Sequence, residues 1–85
     1  MAIYKVREIC KRNGGQAPST FYADKAEGLW PESIKLGARS VGFPCEEVDQ
    51  IIAARAAGAT TEQIKALVKR LMAQRTKRLA ELLAA

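Results

Sequence analysis

No histidine occurs among the 85 residues. Without an imidazole, neither a Ser-His-Asp nor a Cys-His nucleophile arrangement can be assembled, and a zinc site of the Cys₂His₂ kind is excluded as well. Cysteine is scarce. Cys10 and Cys45 are far apart in sequence and have no neighbouring ligand pattern, so both read as ordinary buried or half-buried thiols and not as a disulfide framework. Hydrophobic residues make up 48% of the chain, but 15 of them are Ala. A chain of this length buries a modest share of its surface, so the core is expected to be thin and part of the chain to need a neighbour. No apolar run approaches the ~20 residues of a membrane span, and Met1-Ala2-Ile3-Tyr4-Lys5 lacks the apolar run of a signal peptide. The one acidic cluster, Glu46, Glu47 and Asp49, has no second cluster or His to complete a site. These absences lead us to expect a soluble, intracellular protein with no catalysis, cofactor or metal.

What is present is an uneven charge. Residues 1–60 hold eight basic and seven acidic side chains, whereas residues 61–85 hold six basic and two acidic ones. The total of +5 is therefore a near-neutral body followed by a basic tail.

The body punctuates itself with Gly and Pro. Val6, Ile9 and Cys10 share one helical face, and Asn13-Gly14-Gly15 ends that helix. Pro18-Ser19-Thr20 opens a second helix that runs to about Glu27, with Gly28 closing it. Ile34-Lys35-Leu36 and Ser40-Val41-Gly42-Phe43 flank Gly37-Ala38-Arg39 as a β-hairpin. An isolated hairpin is marginal in water, so Trp30 and Phe43 are expected to fasten it to the helices. Pro44-Cys45-Glu46-Glu47 starts a third helix with acids in its first turn, where the dipole favours them. Val48, Ile51 and Ile52 form its face and Gly58 ends it. Thr60 with Gln63 reads as a capping box, opening a last helix to about Leu83 whose apolar face is Ile64, Leu67, Val68, Leu71, Met72, Leu79, Leu82 and Leu83, interrupted at Arg75 and Arg78.

The run Lys35-Leu36-Gly37-Ala38-Arg39-Ser40-Val41-Gly42-Phe43, preceded by Ser19-Thr20-Phe21-Tyr22 and Trp30-Pro31, resembles the AlpA family of phage and mobile-element regulators. Glu47-Val48-Asp49 and Ala53-Ala54-Arg55 fit the same pattern, and the likeness covers about residues 3–57. It implies an α+β, mostly helical winged helix-turn-helix over residues 1–58, related to MerR-like and excisionase folds. Residues 59–85 would then form a basic amphipathic helical extension. Two departures stand out: Asp24 and Lys25 occupy positions where relatives usually carry apolar residues, and the loop Gly14-Gly15-Gln16-Ala17 is looser than the usual short turn.

The resemblance implies double-stranded DNA as partner, in the cytoplasm of a bacterium. It places Ser19, Thr20 and Tyr22 at the major groove, where the start of a recognition helix meets base edges. The competing reading makes Ser19 and Thr20 helix caps and packs Tyr22 on the fold. Phe21 and Trp30 read as core. Arg39 at the hairpin tip suits a minor groove or a phosphate, and Lys35 a phosphate from the flank. Lys11 and Arg12 could touch the backbone or only complement the first helix's dipole. Lys25 could contact DNA or lie under the hairpin with its stem packed.

For the last helix three readings compete: folding back on the winged domain, pairing with another copy, or lying along phosphates. Self-association or docking is expected of its first half, with Leu67, Leu71 and Leu79 as the self-association positions and a mobile basic end after Arg75. The family implies either an excisionase, which binds and bends attachment-site DNA for an integrase, or a transcriptional regulator of prophage genes. A reading of another class makes the chain a helical protein-interaction module.

Overall fold

The computed structural model describes residues 3–84. Seven elements follow in order: β1 (Ile3–Tyr4), α1 (Val6–Arg12), α2 (Pro18–Ala26), β2 (Ile34–Lys35), β3 (Val41–Pro44), α3 (Cys45–Ala56) and α4 (Thr61–Ala84). This is an α+β winged helix-turn-helix with a C-terminal helix.

The punctuation works as its chemistry requires. After α1, Gly14 and Gly15 take φ of 81° and 77°, and the Gly15 and Gln16 amides both donate to the Cys10 carbonyl at 3.0 Å. The long loop is then tied down by side chains. Asn13 Nδ2 donates to Gln16 Oε1, and Gln16 Nε2 donates to Asp24 Oδ2, each at 3.1 Å. Asp24 thus anchors this turn, and Lys25 beside it pairs with Glu32 at 3.3 Å.

β2 and β3 pair antiparallel with Ile34 opposite Gly42 and Lys35 opposite Val41. The Leu36 amide donates to the Ser40 carbonyl at 2.8 Å and closes the tip. Ile3-Tyr4 adds a third strand on the other edge, Tyr4 opposite Phe43, giving the order β1-β3-β2. That strand is absent from the sequence reading, because two residues show no periodicity; only the length of β3 gives them a ladder.

Gly42 is the close approach in this small sheet. A methyl there would collide with Ile3 Cγ2 and stand 3.1 Å from Leu36 Cδ1 and 3.2 Å from the Tyr4 carbonyl oxygen. Overpacking against a β-branched side chain and backbone costs about 1–3 kcal/mol. Gly42→Ala is therefore expected to lower the urea midpoint while the slope m stays unchanged.

One cluster holds the fold together. Phe21, Trp30 and Phe43 meet at ring-centroid distances of 5.3 and 5.4 Å around Phe21, and Ile9, Val48 and Ile51 close around them. Ile64, Val68 and Leu71 of α4 belong to the same cluster. Gly58 thus marks a change of helix and not of core. The α4 capping box forms as its pattern requires: the Thr60 amide donates to Gln63 Oε1 at 2.8 Å, and the Gln63 amide to Thr60 Oγ1 at 3.2 Å. Farther along, Arg75 reaches across to Glu47 of α3, with Nε donating to Oε2 at 2.8 Å and Nη2 bonding the other carboxylate oxygen.

Two of the positions expected for self-association lie against the chain's own body. Leu71 is 2% exposed within the chain's own core, and Leu67 is half-buried against it. Ile64, Val68, Leu71, Arg75, Leu79 and Leu82 follow 3- and 4-residue steps along one stripe. The body covers that stripe up to Leu71, while Leu79, Leu82 and Leu83 remain exposed. Cys10 is buried and Cys45 half-buried, both as free thiols.

Candidate nucleic-acid interface

The first turn of α2 presents side chains that the fold itself does not use. Ala17 is the N-cap and offers no side-chain cap, so Ser19 and Thr20 stand inside the first turn with exposed hydroxyls. The capping alternative for these two is thereby removed. Phe21, between them and Tyr22, is fully buried and clamps this turn to the core. Tyr22 is 55% exposed, its ring edge-on to Phe21 at 5.5 Å, which fixes the ring and leaves the phenol facing solvent. A rigid turn carrying two free hydroxyls and one phenol can donate or accept at base edges.

The wing supplies charge. Lys35 lies exposed on β2, and Arg39 lies exposed in the 37–39 tip. Neither has an acidic partner among the described residues. Lys5 Nζ donates to Ser40 Oγ, placing a further cation against the base of the tip.

Two residues expected at DNA have partners within the chain. Arg12 Nε pairs with Glu8 at 3.0 Å, and its guanidinium stacks 4.4 Å above the Tyr4 ring. Lys25, half-buried, pairs with Glu32 at 3.3 Å. Tyr4 in turn donates to Asp49 at 3.4 Å. Burial pushes its phenol above the usual 10.0, with Arg12 opposing and Asp49 adding to the shift.

Arg7 is the cation that sequence reasoning missed. It lines a groove of 530 Å³ between α1 and α2 together with Lys11, Pro18 and Tyr22. The available signal was pairing: Glu8 lies four residues before Arg12, the favourable helical spacing, which leaves Arg7 and Lys11 without an acid. On α4, Lys69, Arg70 and Lys77 likewise lack one among the described residues, and they lie on the helix face opposite the docked stripe.

Arg55, near the end of α3, stacks 5.0 Å from the Trp30 ring. Its Nε and Nη2, like Trp30 Nε1, are buried without a hydrogen-bond partner. Among the described residues no three His, Cys, Asp or Glu side chains converge on a metal position, and no helix is long and apolar enough to cross a membrane.

The family model described as "Prophage CP4-57 regulatory protein (AlpA)" matches residues 4–56. The match runs from β1 through α3 and stops short of α4. No curated protein and no solved structure matches the chain.

Proposed function

The chain belongs to the AlpA family of prophage regulatory proteins, and on that premise we propose that it binds duplex DNA in a sequence-specific manner. The observation that carries this reading is the first turn of α2, where Ser19, Thr20 and Tyr22 are exposed, non-capping and rigidly held by Phe21. These side chains read a major groove. Arg39 and Lys35 of the wing hold the adjacent backbone or minor groove.

One such module covers little DNA, so useful specificity calls for several copies on adjacent sites. Leu79, Leu82 and Leu83, left exposed where α4 outruns the body, link a copy to its neighbour, while Lys69, Arg70 and Lys77 add phosphate contacts. This arrangement suits an excisionase that loads repeated sites, bends the attachment region and so changes the complex an integrase builds. A second reading, transcriptional control of prophage genes, is favoured by the regulatory description of the family. Both place the protein on the bacterial nucleoid in the cytoplasm.

Footprinting combined with a circular-permutation bending assay separates the readings. Protection of several spaced sites with strong bending is expected for excision. A single footprint beside a promoter would assign the regulator instead. Absence of any duplex binding would leave the interaction-module reading, with the α4 end as the partner surface.

A further inference from the structure

The cations of α1 divide into two classes that net charge conceals. Arg12 is tied to Glu8 and to the Tyr4 ring. Arg7 and Lys11 are exposed and have no acidic partner among the described residues. They stand four residues apart on one face of α1, and like charges at that spacing are mildly destabilising to a helix. Lys11 lies in the last turn of α1, where the helix dipole favours a cation, but no acidic side chain lines the groove the pair shares with Val6, Cys10, Pro18 and Tyr22. The pair is therefore positioned for an anion that comes from outside.

The groove also identifies its occupant. Its far wall is Pro18 and Tyr22 of α2, the same turn whose exposed hydroxyls face outward, so whatever fills it lies directly beside the reading surface. Two cations one helical turn apart are separated by about 6 Å along the helix, a spacing that suits successive phosphates of one DNA strand. In a helix-turn-helix, contacts to the backbone fix register while base contacts specify sequence.

Resting on the DNA-binding reading above, we infer that the α1–α2 groove seats the phosphate backbone of the bound duplex. Arg7 and Lys11 are its contacts, Arg12 has no part in it, and Tyr22 is the wall shared with the major groove. These contacts set the depth and angle at which α2 enters the groove.

The test measures the salt dependence of duplex affinity for the full chain and for Arg7→Gln, Lys11→Gln and Arg12→Gln, on a specific site and on unrelated duplex. All three side chains are exposed, and thermal melting followed by circular dichroism checks that the fold is kept. Each of the first two variants is expected to reduce the slope of log K against log salt by about 1, weakening specific and unrelated duplex by the same factor. Arg12→Gln is expected to leave the slope unchanged. Unchanged slopes for Arg7→Gln and Lys11→Gln, with the parent still binding, would overturn the groove assignment and leave the function standing. A slope that falls for Arg12→Gln would overturn the division between the two classes. A parent chain without duplex affinity would remove both this inference and the function it rests on.

Discussion

A chain ending at Gly58 is expected not to fold, although it contains the whole family-matched segment. Ile64, Val68 and Leu71 of α4 are 3%, 7% and 2% exposed and lie in the same cluster as Ile9, Phe21 and Val48. Losing a buried residue of this kind costs about 2–5 kcal/mol when truncated to Ala. Three together come to roughly 6–15 kcal/mol, while an 85-residue domain has only about 4–13 kcal/mol in total at 0.05–0.15 kcal/mol per residue. The bidentate pair between Glu47 and Arg75 would be lost as well. Far-UV circular dichroism against temperature should show no cooperative transition. A chain ending at Thr76 keeps the three apolar residues and Arg75. The described residues it sheds, 77–84, are all exposed, so its stability should lie within about 1 kcal/mol of the full chain. A cooperative melt of the Gly58-terminated chain near that of the parent would show that α4 is an appendage. Loss of DNA binding on cutting at Gly58 would therefore report unfolding; the cut at Thr76 is the one that tests linkage between copies.

The dual character of α4 explains what was legible in the sequence and what was not. Its start was legible because the Thr60–Gln63 capping box is local chemistry. The ends of α1, α2 and α3 were legible for the same reason, through Gly14, Gly28 and Gly58, all at positive φ. Which Leu of α4 meets the chain and which meets solvent was not. Ile64, Leu71, Leu79 and Leu82 share one stripe, and nothing along that stripe marks where the body stops. That boundary is set by α3, whose Glu47 catches Arg75 at the edge of the body. β1 escaped notice because its two residues are a strand only by pairing with β3. Arg7 was overlooked because a count of charges does not show which cations Glu8, Glu32 and Glu47 neutralise. The hydroxyls of Ser19 and Thr20 showed their residue types in the sequence, but their freedom from capping depends on Ala17 occupying the cap.

That freedom gives the combined variant Ser19→Ala, Thr20→Ala, Tyr22→Phe a distinctive expected outcome. Were the first two residues caps, each Ala would cost about 1 kcal/mol of stability. Standing inside the helix instead, they gain slightly from Ala, which is the better helix former. Tyr22→Phe keeps the edge contact with Phe21 and loses only the phenolic oxygen. The melting temperature is therefore expected to hold or rise. Binding should respond differently. Contacts to base edges are worth about 1–3 kcal/mol each, so loss of the three should weaken the specific site by roughly 10²–10⁴-fold, allowing for incomplete additivity. Affinity for unrelated duplex and the salt slope should stay where they were, because no phosphate contact has been removed. Arg39→Ala at the wing tip should do the reverse, weakening both duplexes alike and lowering the slope by about 1. The measurement is fluorescence anisotropy with specific and unrelated duplexes over a salt series. If the combined variant kept its ratio of specific to unrelated affinity, α2 would not be the reading helix, and the base contacts would have to be sought on the wing.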